Sequence, residues 1–192
     1  VADAETWEAL MAVSSTMVPL GTPVPDFTLV DVAGVTVRAA DLREAPGLLV
    51  AFLCNHCPYV RHLEVELGSV LARHPGLAVV GICTNDADAY PEDRPERLAE
   101  QARRAGWTFP YLVDADQEVG RSFSAACTPD FFLFGADGRL AYRGAFDGST
   151  PGNGKPVDGA LLESAIDDVL AGRPVPEPHR PALGCSIKWR EA

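Results

Sequence analysis

Gly47-Leu48-Leu49-Val50-Ala51-Phe52-Leu53-Cys54-Asn55-His56-Cys57-Pro58 is the stretch on which the fold turns. Its first seven residues form an unbroken apolar run, the pattern of a strand covered on both faces. Two cysteines separated by two residues follow at once. Beyond them Val60, Leu63, Leu67, Val70 and Leu71 recur at helical spacing, and Gly76 closes that helix. A dithiol between the exit of a buried strand and the mouth of a helix is placed for exchange chemistry. The unpaired N–H groups of a helix start favour a thiolate over a thiol.

Upstream, Phe27-Thr28-Leu29-Val30 and Val35-Thr36-Val37 bracket a turn at Ala33-Gly34 and predict a hairpin. Downstream, residues 77–83 predict a second buried strand, and a polar loop runs from Asn85 to Arg94. Pro95 suits the first position of a helix ending near Gly106. A short strand over 109–113 and a short helix over 117–123 follow. Residues 131–134 and 140–143 flank Asp137-Gly138, a hairpin signal. Asp158 or Gly159 opens a last helix with Leu161, Leu162, Ile166, Val169 and Leu170 as its apolar positions, and Gly172 ends it. Residues 1–25 read as an N-terminal arm. Residues 173–192 read as a proline-rich tail lying over the domain. The order requires a parallel strand pair with a right-handed crossover, then antiparallel strands. The expected architecture is a single α/β domain over 1–192, with a mixed central sheet flanked by helices.

A chain of 192 residues can bury a substantial core as one domain. Its net charge of −11 argues against nucleic acid or an acidic membrane face as partner, and no basic cluster offsets it. No apolar run reaches membrane-spanning length. Asp3, Glu5 and Glu8 stand where a signal peptide needs basic residues, so the expected compartment is cytoplasmic. Val1 is not an initiator methionine, which leaves the true start open. Five cysteines with one short spacing do not make a disulfide framework, and a single C-x-x-C in such a chain points to catalysis.

Several segments together carry a family resemblance. They are Phe52-Leu53-Cys54-Asn55-His56-Cys57-Pro58-Tyr59-Val60, Thr84-Asn85-Asp86, Tyr90-Pro91-Glu92-Asp93, Thr128-Pro129-Asp130-Phe131-Phe132-Leu133, Tyr142-Arg143-Gly144 and Gly184-Cys185-Ser186-Ile187-Lys188-Trp189. The chain resembles the peroxiredoxin-like branch of the thioredoxin-fold superfamily, the AhpC/TSA-type redoxins, from about Pro23 to Trp189. The resemblance implies a thioredoxin fold with an N-terminal hairpin extension and a C-terminal tail. It implies thiol–disulfide exchange serving cell redox homeostasis, with protein or small-molecule disulfides and thiols as partners. It leaves the electron donor unnamed. It also implies that the Thr128–Pro129 bond is cis and faces the dithiol, with the Thr128 backbone exposed to pair with an extended substrate.

Residue by residue, Cys54 is the expected nucleophile at the helix start, and Cys57, about one turn inside, the resolving thiol. An imidazolium at His56 stabilises the Cys54 thiolate and makes the disulfide more oxidising. As in the protein disulfide isomerases that the motif resembles, this suggests a potential nearer about −180 mV than about −270 mV. Cys185 is a candidate additional resolving thiol, with packing beside Trp189 as the alternative. Cys127 and Cys83 read as buried apolar residues. His62 reads as a surface residue, and Asp86, Asp88, Glu92 and Asp93 as a solvated acidic loop. No organic cofactor is expected, since the glycines form no phosphate-binding pattern. No metal is expected either, since a dithiol at a helix start does not easily converge into a tetrahedral site.

Two departures stand out. The buried acid that thioredoxins carry six residues before the first cysteine is Leu48 here. Aligned on Cys57, the proline and threonine that orient a peroxide in peroxiredoxins are Val50 and Cys54. The alternatives to an exchange enzyme are a peroxide reductase and a non-catalytic redox sensor or binding module.

Overall fold

The computed structural model describes residues 12–190. Its centre is the apolar run, which forms β4 (Gly47–Phe52), buried at all six positions. Leu48, Val50 and Phe52 enter one core layer, while Leu49, Ala51 and the following Leu53 enter the other. That is the alternation a strand imposes on its side chains, with helices or loops over both faces.

β4 pairs in parallel with β5 (Ala78–Cys83), which pairs in parallel with β6 (Tyr111–Val113). On its other side β4 pairs antiparallel with β8 (Asp130–Gly135), which turns back into β9 (Leu140–Gly144). The hairpin of β2 (Thr28–Asp31) and β3 (Thr36–Arg38) adds to β6. The sheet order is therefore β3-β2-β6-β5-β4-β8-β9. The N-terminal hairpin is thus an edge of the central sheet rather than an extension outside it.

A short α1 (Ala39–Leu42) leads into β4. The crossover from β4 to β5 is α2 (Pro58–Ala72), which buries Val60, Leu63, Leu67, Val70 and Leu71, the periodic set. The crossover from β5 to β6 is α3 (Pro95–Ala105), with proline in its first turn and Gly106 at φ 69° ending it. The short α4 (Glu118–Ser122) and the last helix, α5 (Ala160–Leu170), complete the helical layers. No helix among the described residues is long and apolar enough to cross a membrane.

The termini depart from the sequence reading. Residues 1–11 of the expected arm lie outside the described residues. Ala12–Ser14 forms β1, and Leu183–Ser186 in the tail forms β10. β10 is the middle strand of a second, three-stranded sheet, antiparallel to β1 on one side and to β7 (Cys127–Thr128) on the other. The tail is thus built into the fold beside the loop that contains Pro129.

Candidate active site

The helix starts later than the motif suggests. α2 begins at Pro58 and its N-cap is Cys57, so Cys54 lies in the connecting loop, four residues before the first helical position. The dipole and the N–H groups of the helix start therefore act on Cys57, and the expected placement of Cys54 there is not met. The cause is Pro58, which is at ease in a first helical position and disfavours helical backbone in the residue before it. Nor is Cys54 the more exposed of the two, since both are fully buried.

The Thr128–Pro129 peptide is cis, as the resemblance implies, and Thr128 reaches both sulfurs. Its Oγ1 is 3.2 Å from Cys54 Sγ, and its carbonyl accepts a hydrogen bond from Cys57 Sγ at 3.1 Å. The Thr128 backbone does not stand open for a substrate strand. It is buried and paired with Cys185 of β10. Cys185 Sγ lies 2.8 Å from Cys57 Sγ. β10 comes this close because residue 184 is glycine: a Cβ there would lie 2.1 Å from the Thr128 carbonyl oxygen.

A polar network holds the loop from Cys54 to Cys57. Gln101 donates to the Cys54 carbonyl, Arg61 to the Asn55 carbonyl, and Arg104 to Asn55 Oδ1. Asp93 was expected in a solvated loop, yet it is almost wholly buried. A single 3-10 turn (Pro91–Asp93) carries it inward. Its Oδ1 accepts the backbone N–H groups of Asn55 and His56. Its Oδ2 meets His56 Nδ1 at 2.6 Å and accepts from Asn85 Nδ2. His56 stacks on Tyr90 with ring centroids 5.2 Å apart. Asn85 and Asp93 were within the segments that carry the resemblance, but nothing in a single sequence says that a loop acid turns inward.

Electrostatics separate the two motif cysteines. Burial pushes the Cys54 thiol up, and Cys57 and the charge of Asp93 push it the same way. Burial also acts against the Cys57 thiolate, but it is outweighed. Hydrogen bonding from Cys185 and Cys54 favours the anion, as do the backbone N–H groups of Val60 and Cys185, and Cys57 falls well below the ordinary thiol range. The Val60 N–H stops short of a capping hydrogen bond. The Thr128 carbonyl suits the protonated form of Cys57, so the anion depends on Cys185 and the helix start. For Asp93, burial raises the carboxyl, but His56, Asn85 and the Asn55 N–H hold it below its usual range.

Cys54, His56 and Asp93 offer ligand atoms within 4.8 Å of one another. The donor set fits a metal poorly, because both Asp93 oxygens already accept two hydrogen bonds and His56 Nδ1 is engaged by Asp93. The other residues singled out from the sequence stand apart. His62 Nε2 meets Ser149 Oγ at 3.1 Å. Cys83 and Cys127 are buried with thiols pushed up by burial. Asp130, directly after the cis proline, has one oxygen without a hydrogen-bond partner, and burial pushes its carboxyl up to about 7. Its charge acts on Cys127.

The crossover topology, the cis proline and the cysteine at the helix start define a thioredoxin-fold redoxin. A family model described as "AhpC/TSA family" matches residues 20–143, about two thirds of the 192 residues. The chain belongs to that family. Cys185 lies outside the matched segment. A solved structure of an uncharacterised conserved protein from Geobacillus kaustophilus is 45% identical with a TM-score of 0.91, covering 94% of this chain and 97% of that one. Thiol-disulfide oxidoreductase ResA of Geobacillus kaustophilus (strain HTA426) is 26% identical over 132 residues, 65% of this chain and 68% of the relative. Thiol:disulfide interchange protein DsbE of Yersinia pestis is 28% identical over 130 residues, 67% of this chain and 65% of the relative. The chain spans about two thirds of the length of these two relatives.

Proposed function

We propose that this protein is a thiol–disulfide oxidoreductase whose attacking group is Cys57 and whose C-x-x-C partner is Cys54, the reverse of the order that the motif alone suggests. The observation that carries the reading is the seat of Cys57, at the N-cap of a fifteen-residue helix and against the cis-proline loop, with its thiolate favoured. The names of the ResA and DsbE relatives, a thiol-disulfide oxidoreductase and a thiol:disulfide interchange protein, agree with this chemistry.

In the first step the Cys57 thiolate attacks a substrate disulfide, forms a mixed disulfide and expels one substrate thiolate. In the second, Cys54 attacks Cys57 Sγ and releases the other substrate sulfur. Cys54 must first lose its proton, and burial holds that proton on. We assign that proton to His56, which has a ring nitrogen within 4.8 Å of Cys54 Sγ and is held by the Asp93 carboxylate. His56 thus serves proton transfer at Cys54, while the helix start serves the anion at Cys57. Thr128 and Pro129 shape the floor on which both sulfurs rest. Substrate reaches Cys57 only when the segment over it shifts, since both motif cysteines are buried. A peroxide reductase draws no support from the site: Val50, at the proline position of the peroxide motif, packs into the core layer opposite Cys57.

The test is reduction of insulin disulfides with dithiothreitol as electron source. The wild-type chain accelerates it and Cys57→Ser does not. A Cys57→Ser chain that keeps the wild-type rate would refute the assignment.

A further inference from the structure

Cys185 Sγ lies 2.8 Å from Cys57 Sγ, and several features of the fold put it there. Its strand β10 pairs on both sides, Cys185 opposite Ala12 in β1 and opposite Thr128 in β7. Gly184 gives up its Cβ so that the strand can lie against the Thr128 carbonyl. Cys54 hydrogen-bonds Cys57 as well, and its sulfur is shared with Thr128 Oγ1 at 3.2 Å. Two sulfurs at 2.8 Å, on separate elements that are each held in place, form a pair ready to bond.

We propose that Cys185 is a third redox thiol, which resolves the mixed disulfide on Cys57 before Cys54 does, so that electrons pass through a three-sulfur relay. The proposal rests on the exchange reading above and adds a step within it. Once a substrate R–S–S–R′ has lost R′–S⁻ to leave Cys57–S–S–R, the Cys185 thiol gives its proton to R′–S⁻ and, as the thiolate, attacks Cys57 Sγ. The Cys57–R bond breaks, R–S⁻ leaves, and the Cys57–Cys185 disulfide forms. Two electrons have passed from the cysteine pair to the substrate disulfide, which departs as two thiols. Cys54, deprotonated by His56, next attacks Cys57 Sγ. The Cys57–Cys185 bond breaks, the Cys54–Cys57 bond forms, and Cys185 takes up the proton. This last step is an isomerisation and needs no oxidant or reductant. A dithiol reductant then returns the Cys54–Cys57 disulfide to the starting dithiol. While the Cys57–Cys185 bond lasts, it ties the C-terminal strand to the start of α2.

The experiment exposes the reduced full chain to glutathione disulfide, quenches it with an alkylating agent over a time course, and maps the peptides by mass spectrometry. Wild type, Cys54→Ser, Cys185→Ser and Cys185→Ala are compared, each first checked for a native near-ultraviolet circular dichroism spectrum. Cys54→Ala replaces Cys54→Ser if the serine perturbs the core. The expected result is a Cys57–Cys185 disulfide in the Cys54 variant, formed as fast as glutathione leaves in wild type. Both Cys185 variants are expected to hold glutathione on Cys57 at least tenfold longer before Cys54–Cys57 appears. The relay is overturned if the Cys54 variant keeps glutathione on Cys57 while Cys185 is alkylated. It is equally overturned if the Cys185 variants resolve at the wild-type rate. If Cys57 acquires glutathione in no chain at all, the exchange reading itself fails.

Discussion

β4 and β10 meet at the same cluster of sulfurs but are held there by different forces. β4 is fixed by side chains: every residue is buried, and alternate residues fill opposite core layers. β10 is four residues long, its first residue is exposed, and it is fixed by backbone pairing on both edges together with one missing Cβ. The first arrangement makes a rigid floor. The second brings Cys185 onto that floor, and all three sulfurs are buried beneath the surface. Chemistry at a buried Cys57 therefore requires one of these elements to move.

Removal of the sulfur at the floor has the largest expected effect. Cys57→Ser is expected to bring disulfide reduction to background, whereas Cys54→Ser should leave a chain that still forms mixed disulfides. The insulin assay and peptide mapping read these outcomes.

A second probe lies at the end of β4, where Phe52 pairs with Asp130. Burial lifts the Asp130 carboxyl to about 7, so between about pH 4 and pH 7 the folded state keeps a proton that the unfolded chain has released. Stability therefore falls as pH rises through that window, by roughly 4 kcal/mol at most. Asp130→Asn should abolish this fall in urea denaturation across the same range.

On the side of β10, Gly184→Ala drives a Cβ against the Thr128 carbonyl oxygen. The expected cost is roughly 3 kcal/mol, at the upper end for overpacking. It should also speed alkylation of Cys57, as β10 lifts away. Unchanged stability together with unchanged alkylation would show that β10 tolerates displacement without uncovering the site.

The smallest of these effects belongs to Asp93. Its folded carboxyl lies below its usual range, so its contribution is in place above about pH 4 and is lost as pH falls through the lower folded value. Asp93→Asn should cost about 1–3 kcal/mol at pH 7 by loosening His56 and the N–H groups of Asn55 and His56. It should also slow the Cys54 step more than the first attack by Cys57, which stopped-flow mapping of the mixed disulfide would resolve.

The same contrast explains what was legible in the sequence. β4, α2, β5, α3 and the β8–β9 hairpin follow from apolar period, Pro95 and Gly106, and Asp137-Gly138, because burial imposes those patterns locally. β1, β7 and β10 are two to four residues long and owe their existence to partners distant in sequence, Thr128 with Cys185 and Ala12 with Cys185, so no local period marks them. In the site, the cis Thr128–Pro129 bond follows from the resemblance. The order of the two cysteines does not, because C-x-x-C states a spacing and leaves the start of the helix to Pro58. Asp93 was hidden by its company: among Asp86, Asp88 and Glu92 it reads as solvated, and only the 3-10 turn buries it. Cys185 could be noted as a candidate, but its contact with Cys57 depends on a close approach permitted by Gly184.

The chemistry of the site requires Cys57 to be the sulfur that carries the charge. Thiolate absorbance at 240 nm, followed from pH 4 to pH 10 in the reduced wild type and in the Cys57→Ser and Cys54→Ser chains, tests this without requiring any reagent to reach a buried atom. We expect a thiolate band that persists well below the ordinary thiol value of about 8.5, survives in Cys54→Ser and vanishes in Cys57→Ser. A low-pH band that disappears with Cys54 and remains without Cys57 would contradict the account.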